Sequence, residues 1–219
     1  MIINKNMLKE KAIIIGAGTY GEVYSEYLSG EYEIVGFFDD KESIIGSSFN
    51  DIKVLGTVAD AKEYIVTNQN TAVFIPLGNN NVRKRFFDEF EALGAILPSF
   101  IHPTVTIHES VKLGKGVYIL PNSSIMPFTI IGDYTMISMG VNIAHHTKIG
   151  KGCFFSQGTN VGASITIDDL AYCGISSTLM TGVEKIGTNS LVGAGAVVIR
   201  DVEPHTVVAG VPAKFLKNK

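Results

Sequence analysis

The chain has 219 residues, is 46% hydrophobic and 18% charged, and carries a net charge of -3. That length allows one or two domains, and the composition is that of a globular chain with ample core-forming residues. No basic stripe marks a nucleic-acid surface, and no run of about 18 apolar residues predicts a membrane helix. The polar start over residues 1–11 lacks a signal-peptide pattern, so a cytoplasmic location is expected. The cysteines, Cys153 and Cys173, do not make a disulfide framework.

In chain order, residues 12–15 read as a short apolar strand running into Gly16-Ala17-Gly18-Thr19-Tyr20-Gly21. A helix is predicted over 20–29. A second strand over 34–38 ends in Asp39-Asp40, and a helix follows over 58–66. Then come a strand over 71–76 and a helix over 80–93. The alternation predicts a parallel sheet with helices on its faces, a Rossmann-like domain spanning residues 1–98. The G-x-G-x-x-G spacing after a strand suits a phosphate held by backbone N–H groups at a helix start. Asp39, about 18 positions on, stands where a ribose hydroxyl would be held. A plain tight turn would use the same glycines. A second loop, Leu77-Gly78-Asn79-Asn80-Asn81, reads either as ligand contact or as turn and helix cap.

From Ile107 onward an apolar residue returns every sixth position: Leu113, Ile119, Ile125, Ile131, Ile137, Ile143, Ile149, Phe155, Val161, Ile167, Cys173 and Leu179 follow in turn. One extra residue slips the phase near Val183, and the series resumes at Ile186, Val192 and Val198. Neither a helix nor a paired strand has this period. It is the hexapeptide repeat of a parallel β-helix with three short sides, about 18 residues a turn and about five turns, filling residues 99–219. Corner glycines such as Gly114, Gly132, Gly150, Gly162 and Gly174 are expected to permit unusual dihedrals. Prisms of this kind bury a flat side against copies of themselves, which predicts a homotrimer. The segment from Val208 to Lys214 would cap the open end. Of the histidines, His102, His108 and His205 read as surface or loop residues. His145 and His146 sit at a corner of the third coil, where a catalytic imidazole and a solvated one are both open readings. Being adjacent, they do not suit a shared metal ion, and no metal is expected.

The hexapeptide series, His145 ahead of Ile149-Gly150, and the ending Val208-Ala209-Gly210-Val211-Pro212-Ala213-Lys214 resemble the left-handed β-helix acyltransferases. With the glycine loop, Phe37-Phe38-Asp39-Asp40 and Gly78-Asn79-Asn80, the chain resembles the NeuD/PglD-type sugar acetyltransferases. The resemblance implies an acetyl-CoA-dependent N-acetyltransferase, a homotrimer acting on a UDP- or dTDP-linked 4-amino-4,6-dideoxy sugar for a surface polysaccharide or glycoprotein glycan. O-acetylation of a sialic acid or polysaccharide sugar is the alternative. By the same resemblance His145 is the general base, with His146 beside it. Gly18, Thr19, Tyr20, Asp39, Asp40 and Gly78 contact the nucleotide sugar, and positions Phe154, Ile175 and Ala194 contact CoA. Two departures stand out. The family places Glu or Asp directly after the base, where this chain has His146, and a neutral imidazole stabilises a protonated neighbour less than a carboxylate does. The family's second histidine is Phe154, which leaves backbone N–H groups as the expected oxyanion donors.

Overall fold

A computed structural model describes residues 9–219. The chain divides into two compact units. One runs up to Leu77 and includes Phe86–Pro98; the other is Gly78–Arg85 with Ser99–Lys219.

In the first unit the strands are β1 (Glu10–Ile15), β2 (Tyr32–Phe38), β3 (Ser48–Phe49), β4 (Ile52–Gly56) and β5 (Ala72–Phe74), in the order β3-β4-β2-β1-β5. All pairings are parallel except β3 with β4. Helices α1 (Thr19–Leu28) and α2 (Val58–Thr67) and the later part of α3 (Asn80–Ala92) complete the unit. Both faces of β1 are covered, and Ala12, Ile13, Ile14 and Ile15 are buried, as a central parallel strand requires. Thr57 starts α2 with a reciprocal cap: its hydroxyl accepts from the Asp60 N–H and its own N–H donates to the Asp60 carboxylate. The β3–β4 hairpin is an element the sequence pattern did not indicate. It turns on Asn50 and Asp51, both in the left-handed region (φ 49° and 61°).

The second unit is a three-sided parallel β-helix of two-residue strands. Its first face runs from Phe100–Ile101 through Tyr118–Ile119, Met136–Ile137, Phe154–Phe155, Tyr172–Cys173 and Leu191–Val192. It ends on Thr206–Ala209 and the antiparallel Lys214–Asn218. The second face carries Thr106–Ile107, Ser124–Ile125, Asn142–Ile143, Asn160–Val161, Thr178–Leu179 and Val197–Val198. The third carries Lys112–Leu113, Ile130–Ile131, Lys148–Ile149, Thr166–Ile167 and Lys185–Ile186. The second residue of these pairs points inward along the coils. The six-residue series therefore becomes one continuous core that includes Ile119, Ile137, Phe155, Cys173 and Val192.

The corner glycines do a different job from the one expected. Gly132 and Gly150 are not in the left-handed region; those corner positions are held by residues such as Asn122, Phe128, Tyr134 and His146. Instead, a Cβ on Gly132 would lie 2.6 Å from the backbone of Gly150 one coil on. These glycines are set by how closely coils stack. No helix among the described residues is long and apolar enough to cross a membrane.

Candidate functional site

The glycine loop of the first unit gives three glycines three different physical roles. Gly16 has φ +96°, a conformation side chains avoid. A Cβ on Gly21 would lie 2.0 Å from the Gly16 carbonyl oxygen, so α1 can approach β1 only without it. Gly18 is required by neither: its φ is -83°, and nothing lies within 4 Å of a Cβ built there. It is exposed with Thr19 at the start of α1, and no side chain caps that helix. Open space above a backbone glycine at a helix N-terminus is what an approaching pyrophosphate needs. Asp39 is half-buried and turned inward. Its carboxylate accepts the Ala17 N–H at 2.8 Å and the Lys41 N–H at 2.9 Å, so it braces the glycine loop from behind. Asp40 accepts the Val58 N–H at 2.9 Å at the start of α2. Tyr20 sits in the first turn of α1.

In the second unit Gly78 is half-buried just ahead of α3. Asn79 caps that helix, its side-chain oxygen accepting the N–H groups of Asn81 and Val82, both at 3.1 Å. The next turn is tied to the first face of the solenoid. Asn80 donates to the carbonyls of Leu170 and Ala171. Arg83, with no exposed surface, donates to Tyr134, Gly152 and Cys153 carbonyls at 3.0, 2.8 and 2.9 Å and to the Asn80 side chain at 3.1 Å. The sequence pattern places both residues on a helix and gives no sign of this anchorage, because an arginine at helical spacing looks like a solvated one.

The three faces differ in what they present outward. Arg83 lies over the Phe154 ring on the first. The third shows Lys112, Lys148 and Lys185 to solvent. The second shows Thr106, Ser124, Asn142, Asn160, Thr178 and Val197, with no charge among them. Asn142 and Asn160 hydrogen-bond to each other at 3.0 Å, and Met126 and Met180 flank this row, exposed.

His145 sits on the edge between the second and third faces. It lines a groove of about 740 Å³ with Ala163, Ser164, Thr166, Thr181, Gly182, Val183 and Glu184. Its Nδ1 lies 3.0 Å from Nδ1 of His146, the rings nearly perpendicular. His146, at φ 59°, packs in turn on the exposed ring of Phe128, 4.8 Å away. Two imidazole nitrogens at this distance share one proton: one donates, the other accepts. When His145 donates from Nδ1, its Nε2 is left as a bare acceptor, the form a general base needs. In that tautomer His146 is the acceptor of the pair.

Residues 11–90 match the PglD N-terminal domain, and residues 128–163 match the bacterial transferase hexapeptide (six repeats). GDP-perosamine N-acetyltransferase of Escherichia coli O157:H7 is 28% identical over 218 residues, covering 94% of this chain and 96% of that one. PerB from Caulobacter crescentus, solved with CoA and GDP-perosamine, is similar at a TM-score of 0.86 and 27% identity, over 94% of this chain and 97% of that one. The chain is an acetyltransferase that carries a PglD N-terminal domain ahead of hexapeptide repeats, and over nearly all of its length it is similar to sugar N-acetyltransferases of the NeuD/PglD type. The acetyltransferase domain of PglB from Neisseria gonorrhoeae FA1090 is similar too, with a TM-score of 0.85 and 26% identity over 95% of this chain and 100% of that one. The solenoid of this acetyltransferase is accordingly the left-handed parallel β-helix of that group.

The expected donor-side positions of the acetyltransferase separate. Ile175 and Ala194 are exposed on successive coils, on the edge between the first and second faces. They are one flat face away from the edge that carries His145. Phe154 is a correction: it is 1% exposed, stacked on Tyr172 at 5.1 Å and lying under Arg83, so its ring packs the first face and cannot reach a cofactor. The backbone donors beside His145 are partly engaged as well. The Ser164 N–H donates to the His145 carbonyl at 3.0 Å and the Ala163 N–H to the Thr181 hydroxyl at 3.3 Å. Neither cysteine is a nucleophile. Burial pushes the Cys153 thiol up to about 12, and burial with the neighbouring Cys153 pushes Cys173 up as well.

Proposed function

We propose that this acetyltransferase moves an acetyl group from acetyl-CoA to the amine of a nucleotide-linked 4-amino-4,6-dideoxy sugar, in the cytoplasm, with His145 as general base. The observation that supports the proposal is the Nδ1–Nδ1 contact at 3.0 Å on the groove wall: with His145 as its donor, Nε2 is the acceptor that a general base needs. The amine lone pair attacks the thioester carbonyl carbon. Its proton passes to Nε2, the C–S bond breaks, and the leaving thiolate takes the proton back from His145. Direct attack suits a chain whose two cysteines are both buried thiols. General base catalysis of this kind supplies about 10²–10⁴-fold.

Gly18, Thr19 and Tyr20 would receive the diphosphate at the start of α1, with Asp39 and Asp40 holding the loops around it and Gly78 at the start of α3 a further contact. The GDP-perosamine of the relatives adds guanosine to uridine and thymidine as candidate nucleosides. A trimer closed about the second face fits the uncharged row of Ser124, Asn142, Asn160 and Thr178 and its exposed methionines. Such packing would bring the edge bearing Ile175 and Ala194 of one copy against the edge bearing His145 of the next. CoA would then lie in the seam. The test is His145→Ala, assayed beside the wild type for CoA thiol release, CoA binding and mass in solution. A turnover loss of at least about 10²-fold with CoA binding and trimer mass retained is expected. Near-normal turnover overturns the assignment.

A further inference from the structure

Between Ile107 and Val198 the hexapeptide register breaks once, on the edge that bears His145. Inward residues there are spaced by six from Ile125 to Ile131, Ile143 to Ile149 and Val161 to Ile167, but Leu179 to Ile186 spans one more. The added residue is absorbed in a fixed outward turn. Thr181 and Val183 bridge each other, Gly182 takes φ +102°, and Val183 is buried. The Glu184 N–H is held by the Asp201 carboxylate at 2.8 Å. This turn lies two coils from His145, about 10 Å along the axis, and it delivers Glu184 to the wall of the same groove.

The rest of that wall is uncharged, so Glu184 and His145 are its titratable groups. The charges around Glu184 are engaged elsewhere. Lys185 pairs with Asp168 at 3.1 Å, and Asp201 accepts the N–H groups of Glu184 and Lys185. The Glu184 carboxylate makes no hydrogen bond or ion pair with the described residues. An unengaged carboxylate lining the same groove as a base can receive a cationic amine by a charge-assisted hydrogen bond.

We propose that Glu184 binds the acceptor amine as its ammonium ion and sets it within reach of His145. The inference rests on the reading of amine acetylation above. The ammonium loses one proton to solvent, and the free amine forms the C–N bond. Its second proton goes to Nε2 of His145 and then to the departing thiolate, so each turnover yields amide, CoA thiol and one released proton. A hydroxyl acceptor carries no charge to pair with Glu184 and would gain only a hydrogen bond from it.

The test is steady-state kinetics of Glu184→Gln and Glu184→Asp beside the wild type, varying amino sugar and acetyl-CoA separately, with thermal melts. The expected result is a KM for the amino sugar raised roughly 10-fold or more in E184Q, the worth of one charge-assisted contact. The KM for acetyl-CoA stays level and E184D recovers part of the loss. An unchanged KM for the sugar, or a rise confined to acetyl-CoA, overturns the inference while leaving amine acetylation standing. If the wild type acetylates no amino sugar, both fall together.

Discussion

Replacing His146 by alanine removes one hydrogen bond from the groove and leaves the base in place. The contact is neutral, N to N at 3.0 Å, and a neutral hydrogen bond contributes about 1 kcal/mol. At about 1.4 kcal/mol for each factor of ten in rate, kcat should fall about five-fold, and by no more than roughly ten-fold. His145→Ala removes the base itself and should cost about 10²–10⁴. His146→Asn makes the comparison sharper. Asn tolerates the left-handed backbone at this corner, as Asn122 does at an equivalent one, and its amide oxygen offers the acceptor His145 needs. The assay is CoA thiol release with both substrates saturating, and H146N should run faster than H146A. If His146→Ala were as damaging as His145→Ala, the base would be His146. If Asn were no better than Ala, the tautomer argument would be wrong.

Other expectations follow from the packing. Gly18→Ala should leave the fold within about 1 kcal/mol, since its backbone angle is ordinary and the space is open, yet weaken nucleotide-sugar binding roughly 10-fold by calorimetry. Gly21→Ala should destabilise the first unit by about 1–3 kcal/mol, because the new Cβ meets the Gly16 carbonyl. Arg83→Met strands the buried carbonyls of Tyr134 and Gly152, while that of Cys153 keeps the Met136 N–H, and should cost at least about 2 kcal/mol, which lowers the melting midpoint by roughly 4–8 °C. Asp133 is raised by partial burial, but its contacts to Lys151 and the Lys115 N–H outweigh that and hold its carboxyl below the usual value. A depressed folded value stabilises above the ordinary carboxylate range and loses that stabilisation as pH falls through the folded value. Asp133→Asn should therefore melt earlier than wild type at neutral pH, and the difference should vanish in acid.

The solenoid was legible because one position in six is forced inward by geometry, and Ile119, Ile137 and Val192 mark it without help from context. The helices were legible from their periodicity and starting residues, with α1 and α3 falling within a residue or so of expectation. What escaped depends on contacts distant in sequence. Arg83 gains its meaning from carbonyls of coils 51 to 70 residues away. Gly132 is explained by Gly150, a neighbour only after the coil closes. Phe154 occupies a family contact position, yet Arg83 and Tyr172 seal it. The phase slip at Val183 could be read in the sequence. That it turns Glu184 into the groove of His145 could not, because the direction of a bulge is set by Gly182 and Asp201.

The most direct test of the account is CoA thiol release from acetyl-CoA against GDP-, UDP- and dTDP-linked 4-amino sugars, with the products identified by mass and NMR. The account predicts release dependent on one of these sugars and a product acetylated on nitrogen with its nucleotide intact. Release without an N-acetyl product, or with a hydroxyl acceptor alone, would contradict it.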